Sequence, residues 1–156
     1  MPVQVGQQAP DFTLRDTAKN KVTLSEQRGK NVLLLFYPLA FTGTCTRELC
    51  SVRDNLAFYN NANAQVYGIS VDSLYANGKF KAEQNLNFPL LSDFNKEVST
   101  AYDTIYETFS NDMKGVSKRS AFVIDKEGIV RYAEVLENAS EIPDFEAINA
   151  CLEGLA

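Results

Sequence analysis

The sequence predicts an α/β fold, with a central mixed β-sheet flanked by helices and an N-terminal β-hairpin. Three observations carry that expectation. The continuously apolar run 31–37 has the length and composition of a strand buried on both faces, and 65–71 reads as the next buried strand. Segments of helical period separate the strand-like runs, and the chain closes with a hairpin pattern followed by an amphipathic helix.

Taken in order, residues 11–14 and 21–24 alternate in polarity on either side of Lys19-Asn20, the pattern of a hairpin. The run Asn31-Val32-Leu33-Leu34-Leu35-Phe36-Tyr37 stops at Pro38 and reads as a central strand. From Thr44 to about Tyr59, Leu49, Val52, Leu56 and Phe58 or Tyr59 recur near helical spacing, and Asn60-Asn61-Ala62-Asn63 closes the segment. A strand over 65–71, a helix over 74–84 and a strand over 88–91 follow. Asn77-Gly78 is discordant there, because that dipeptide favours turns yet falls inside the expected helix. A short helix is expected from about Asn95. Residues 120–125 and 129–135 form a hairpin about Lys126-Glu127-Gly128, and Pro143 is expected to open a last helix with Phe145, Ile148, Leu152 and Leu155 on one face.

The composition narrows the function. With 156 residues the chain fits a single domain, 1–156, large enough to bury a core. Apolar residues are 45%, charged residues 22%, and ten Phe with seven Tyr supply bulky core material, as in a globular protein. A net charge of -5 with scattered basic residues gives no footprint for nucleic acid or an anionic membrane. The longest apolar stretch, 32–41, is about half a membrane span and contains Pro38. The first residues show neither a basic start nor an apolar core of a secretory signal, so a cytoplasmic location is expected. Three cysteines then point to thiol chemistry more than to a disulfide framework. Histidine is absent, which removes Cys/His and Ser/His catalysis and His-based zinc sites.

The chemistry concentrates in Phe36-Tyr37-Pro38-Leu39-Ala40-Phe41-Thr42-Gly43-Thr44-Cys45-Thr46-Arg47-Glu48-Leu49-Cys50. A cysteine in the first turn of a helix lies among unpaired backbone N–H groups at the positive end of the helix dipole, which favours thiolate over thiol. Cys45 is therefore the candidate nucleophile, although a small apolar packing role is the commoner fate of a free cysteine. Thr42 can place a hydroxyl beside the sulfur. By composition alone Arg119, in the Lys118-Arg119 pair, reads as a solvated surface charge, and Glu48 as a helix-surface carboxylate.

The segment Pro38-x-x-x-Thr42-x-x-Cys45, entered from an apolar strand ending Phe36-Tyr37, resembles the active-site motif of the peroxiredoxins. Ala9-Pro10-Asp11-Phe12-Thr13-Leu14, Gly68-Ile69-Ser70-Val71-Asp72, Phe88-Pro89-Leu90-Leu91-Ser92-Asp93 and Arg119-Ser120-Ala121-Phe122-Val123-Ile124-Asp125 extend the resemblance along nearly the whole chain, in the expected order. Phe41-Thr42-Gly43 with Glu48-Leu49 is most similar to the alkyl hydroperoxide reductase E-type branch, with the bacterioferritin comigratory proteins close by. The resemblance implies a thioredoxin-like fold and a thiol-specific peroxidase with no cofactor or metal. It implies that Cys45 attacks the peroxide and becomes a sulfenic acid, that Thr42 contacts the peroxide, that Pro38 shields the thiolate from water, and that Arg119 reaches the same pocket and favours the thiolate. Glu48 matches an acid that helps orient the arginine. The implied partners are hydrogen peroxide or an organic hydroperoxide and a reductant, either thioredoxin, a glutaredoxin-like protein or a low-molecular-weight thiol. A homodimer joined through the edge that carries the active-site loop is also implied, with Leu39-Ala40-Phe41 facing the partner or packing inside.

Two cysteines remain. Cys50 follows Cys45 by five residues, which on a helix separates the α-carbons by roughly 8 to 9 Å and about 140° and forbids an unstrained disulfide. Some comigratory-type peroxiredoxins nevertheless carry a resolving cysteine at this spacing, whereas the E-type branch often relies on an external thiol. Cys50 is thus either a resolving cysteine or a packed helix cysteine. Cys151 fits a partly buried position on the last helix. The alternatives are a thiol-disulfide oxidoreductase, which the absence of Cys-x-x-Cys disfavours, and a redox-sensing binding module without turnover.

Overall fold

The computed structural model describes residues 2–156. Seven strands form one mixed sheet in the order β2-β1-β5-β4-β3-β6-β7. β1 (Thr13–Asp16) and β2 (Lys21–Thr23) make the expected N-terminal hairpin, with Leu14 opposite Val22. The centre is β3 (Asn31–Phe36), parallel to β4 (Ala64–Ser70) on one side and antiparallel to β6 (Ser120–Ile124) on the other. β5 (Leu90–Ser92) runs parallel to β4, and β7 (Val130–Val135) closes the far edge against β6.

Every residue of β3 is buried, as a run with no polar face requires. Alternation divides it between two cores. Leu33, Leu35 and Tyr37 join Leu49, Val52, Phe80, Ile148 and Leu152 on one face, while Val32, Leu34 and Phe36 join Tyr102, Phe122 and Ile124 on the other. Gly68 of β4 is needed for this packing, since a Cβ there would meet Leu90 Cδ2 at 2.7 Å and Tyr37 Cε1 at 3.3 Å.

Helices cover both faces of the sheet; the helix expected over 74–84 is present with those bounds, while the segment after β3 and the start of the last helix depart from expectation. The single helix expected from Thr44 to Tyr59 is two, α1 (Gly43–Asp54) and α2 (Leu56–Asn61). Asn55 separates them at φ -120° and ψ 21°, its N–H turning back to the carbonyl of Val52. Leu49, Val52 and Tyr59 are buried on the same core across the break, so apolar periodicity alone does not register it. The helix after β4, α3 (Leu74–Gln84), runs unbroken through Asn77-Gly78. Asn77 is fully buried with its amide bonded to other side chains, which removes it from the local backbone bonds that make asparagine a turn former. α4 (Glu97–Ala101) is short, and α5 (Phe145–Leu155) begins after Asp144, whose Oδ1 accepts from the N–H of Ala147. Pro143 therefore precedes the cap and does not open the helix. Among the described residues no helix is long and apolar enough to cross a membrane.

Candidate active site

Strand β3 leads through residues 37–42 into α1, so its C-terminal end and the helix N-terminus share one corner of the molecule. Phe41 adopts φ 68°, a left-handed conformation that an aromatic residue rarely takes, and Thr42 is the N-cap of α1. Cys45 is the third helical residue and has no exposed surface. Three residues on, Glu48 lies on the same helix face and is also fully buried.

The partner of both comes from β6. Antiparallel pairing sets Phe36 opposite Ser120, so Arg119 sits just past the end of the ladder, beside the turn into α1. The residue is 1% exposed, which corrects the reading of a solvated charge. Arg119 Nη2 donates to Cys45 Sγ at 3.2 Å, Nη1 to Glu48 Oε1 at 2.7 Å, and Nε to the carbonyl of Ala139 at 3.0 Å. The neighbouring Lys118 takes the other direction, as alternation in an extended chain demands, and pairs with Glu137 at 2.8 Å. Glu48 is likewise no surface carboxylate. The guanidinium plane thus bridges a thiol and a carboxylate with donors that no imidazole supplies.

Burial of Glu48 raises its pKa from the ordinary 4.5 to about 7, against the lowering effect of Arg119, and its Oε2 has no hydrogen-bond partner. Burial works to lower the pKa of Arg119, but Cys45 and Glu48 raise it overall, so the guanidinium is a fixed cation. A buried acid whose pKa is raised binds its proton more tightly folded than unfolded. Its contribution to stability is complete below 4.5 and is lost as pH rises through about 7. Unfolding free energy is therefore expected to fall by on the order of 1 kcal/mol per pH unit across that window relative to Glu48→Gln. Urea denaturation of both proteins from pH 5 to pH 8 reads this directly, and parallel curves would refute it.

Thr42 donates its hydroxyl proton to the carbonyl of Leu39 at 3.0 Å, leaving the oxygen lone pairs free, while its own carbonyl accepts from Thr46 N and Oγ1. Pro38 is buried where the chain leaves β3. A cavity of about 420 Å³ opens on this corner, walled by Thr42, Gly43, Thr44 and Arg119 on one side and by Tyr106, Phe109 and Asn138 to Ser140 on the other. The rings of Tyr106 and Phe109 stack at 5.8 Å, and Tyr106 Oη donates to the carbonyl of Leu136. Neither aromatic nor the Ala139 carbonyl was foreseen in the sequence. They lie in loops far along the chain from Cys45, and no local pattern marks them.

Cys50 stands apart from this group. It is half-buried with its thiol donating to Gln84 Oε1 at 3.6 Å, against the end of α3, and continuous helix holds it away from Cys45. Cys151 is also half-buried; its thiol donates to the carbonyl of Arg131 at 3.7 Å, and burial raises its pKa.

A thiol at a helix start, held by a buried arginine from a neighbouring strand of a mixed sheet, defines a thiol-based redox protein of thioredoxin-like fold. Comparison with known proteins makes the assignment specific. The model of the AhpC/TSA family matches residues 5–133. Alkyl hydroperoxide reductase E of Mycobacterium bovis is 42% identical over 145 residues, spanning 91% of each chain. Peroxiredoxin Bcp of Bacillus subtilis is 38% identical over 130 residues, 82% of each chain. The crystal structure of peroxidoxin BcpB from Mycobacterium tuberculosis superposes with a TM-score of 0.86 at 28% identity, covering 98% of both chains. The chain therefore belongs to the AhpC/TSA family, that of the peroxiredoxins, and is a thiol-dependent peroxidase.

Proposed function

We propose that Cys45 is the peroxidatic nucleophile and that Arg119, Thr42, Pro38 and Glu48 serve it. The observation that carries this reading is the 3.2 Å bond from the buried Arg119 guanidinium to Cys45 Sγ at the N-terminal turn of α1. The thiolate attacks one peroxide oxygen in line with the O–O bond. An S–O bond forms, the O–O bond breaks, sulfur gives up two electrons, and the departing oxide takes a proton to leave as water or an alcohol. Arg119, a fixed cation beside the sulfur, stabilises the negative charge that spreads onto the peroxide oxygens. Thr42, its proton committed to Leu39, offers the substrate O–H an acceptor. Buried Pro38 keeps bulk water from the sulfur, and Glu48 holds the guanidinium in its bridging orientation.

Hydrogen peroxide and organic hydroperoxides are the proposed oxidants, and the cavity beside Tyr106 and Phe109 has room for an organic tail. The sulfenic acid then condenses with a thiol. That thiol is Cys50 after the first turns of α1 unwind, or an external reductant such as thioredoxin, a glutaredoxin-like protein or a small thiol. Three free cysteines suit the reducing cytoplasm. Phe41, half exposed beside the site, is the proposed point of contact with a second copy in a homodimer.

Titrating the reduced protein with one equivalent of hydrogen peroxide, identifying the product at each cysteine by mass spectrometry and then adding each reductant tests this reading. The expected first product lies at Cys45, followed by loss of both Cys45 and Cys50 thiols. A stable sulfenic acid at Cys45 with Cys50 free would assign the second step to the external thiol, and oxidation at Cys151 first would overturn the reading.

A further inference from the structure

The loop that carries the site is tied down by a residue outside the active-site segment. Asp72 lies two residues beyond β4, at the end of the strand parallel to β3. Its Oδ2 accepts the N–H of Ala40 at 2.8 Å and the hydroxyl of Ser70 at 2.8 Å. Asp72 is itself fixed, since its carbonyl accepts from Ser92 Oγ at 2.6 Å and its N–H points at Ser70 Oγ at 3.3 Å. The string continues inward. Asn77 Nδ2 donates to Ser70 Oγ at 3.1 Å, and the buried Tyr37 hydroxyl donates to Asn77 Oδ1 at 2.7 Å. Side chains from β4, from α3 and from the exit of β3 therefore grip both ends of the turn that runs from Tyr37 to Ala40.

That turn has need of a grip. Phe41, the residue after Ala40, is held at φ 68°, a strained conformation for an aromatic residue that persists only where the surroundings over-determine it. The next residue is Thr42, whose hydroxyl and whose place as helix N-cap set what the peroxide meets. We infer that Asp72 is a positioning residue for the peroxidase reaction: through the Ala40 amide it fixes the strained turn, and with it Thr42, over Cys45. It touches neither substrate nor sulfur. Asn77, discordant as a helical Asn-Gly, takes its meaning from the same string, as the buried amide that satisfies Ser70 and Tyr37 together.

The inference rests on Cys45 being the peroxidatic residue, and the test separates the two. Oxidation of reduced wild type by hydrogen peroxide, with the product mapped to its cysteine, comes first; failure to modify Cys45 would sink the reading of the site itself. With Cys45 confirmed, Asp72→Ala is expected to lower the bimolecular rate with hydrogen peroxide about ten- to a hundredfold, the scale of a small misplacement of reacting groups, while alkylation of Cys45 by iodoacetamide changes within about threefold. Asp72→Asn keeps an acceptor oxygen for Ala40 and Ser70 and is expected to restore the peroxide rate to within about threefold of wild type. A folded Asp72→Ala protein with an unchanged peroxide rate, an equal loss toward iodoacetamide, or no recovery in Asp72→Asn would each overturn the inference. Should Asp72→Ala not fold, hydrogen exchange in wild type decides: the Ala40 amide is expected to be protected, and exchange at the rate of an open loop would overturn the tether.

Discussion

Cys45→Ser is expected to reduce hydroperoxide turnover to that of buffer with reductant alone, leaving the fold intact. A hydroxyl at this position still accepts from Arg119 Nη2 and fills nearly the same volume, so stability has little reason to change. What disappears is the polarisable sulfur, a stronger nucleophile than a hydroxyl, which is oxidised stepwise without leaving the chain. Neither remaining thiol takes its place. Cys50 is turned toward Gln84 and Cys151 toward Arg131, both without a guanidinium hydrogen bond. Cys151→Ser is accordingly expected to turn over as wild type does. Consumption of hydroperoxide over many equivalents, followed in the presence of each reductant, checks the pair, and turnover by Cys45→Ser would end the assignment.

The second large effect belongs to Arg119. Arg119→Met conserves much of the stem but removes three hydrogen bonds, to Cys45, Glu48 and the Ala139 carbonyl. The reaction with hydrogen peroxide is expected to slow by about 10² to 10³, the loss seen when a positioned donor to developing negative charge is deleted. Stability falls as well, by about 3 to 5 kcal/mol when a buried carboxylate loses its charged partner. The two losses have different origins and are separable. The stability defect deepens as pH rises, because Glu48 escapes it by keeping a proton at low pH, and adding Glu48→Gln relieves it. The kinetic defect does not respond to Glu48→Gln, since the missing charge beside sulfur remains missing. Arg119→Lys retains a cation without the planar fork that reaches two partners at once, so it recovers only part of the rate. Urea unfolding at pH 5 and pH 8 beside stopped-flow peroxide kinetics separates the contributions; a rate restored by Glu48→Gln would refute this division.

The residues differ in how openly the sequence displays them. Strand β3 is legible because a run buried on both faces leaves no polar position to confuse its reading, and Cys45 because a helix start after a strand is a local matter. Arg119 is not legible physically. Its neighbour Lys118 has the same charge, and only the pairing of Ser120 with Phe36 decides which of the two enters the core. Resemblance to the peroxiredoxins supplied what composition did not. The continuity through Asn77 has a tertiary cause. Asparagine favours turns when its amide finds local backbone and tolerates a helix when tertiary partners claim that amide, as Tyr37 and Ser70 do for Asn77. The Tyr106–Phe109 wall is a product of tertiary folding, and nothing near it in sequence announces a role; Asp72 ends the family-like segment Gly68-Ile69-Ser70-Val71-Asp72, but its bond to Ala40 is visible only in the fold.

The bond between Arg119 and Cys45 joins residues separated by 74 positions along the chain. During synthesis the cysteine emerges before the arginine is made, and it meets oxidants first without the guanidinium beside it. Only when β6 docks beside β3 does the cation arrive. With Cys45 as the proposed nucleophile, fast reaction with peroxide is expected to begin only when β6 has docked beside β3, so its onset would report that closure in a newly made molecule.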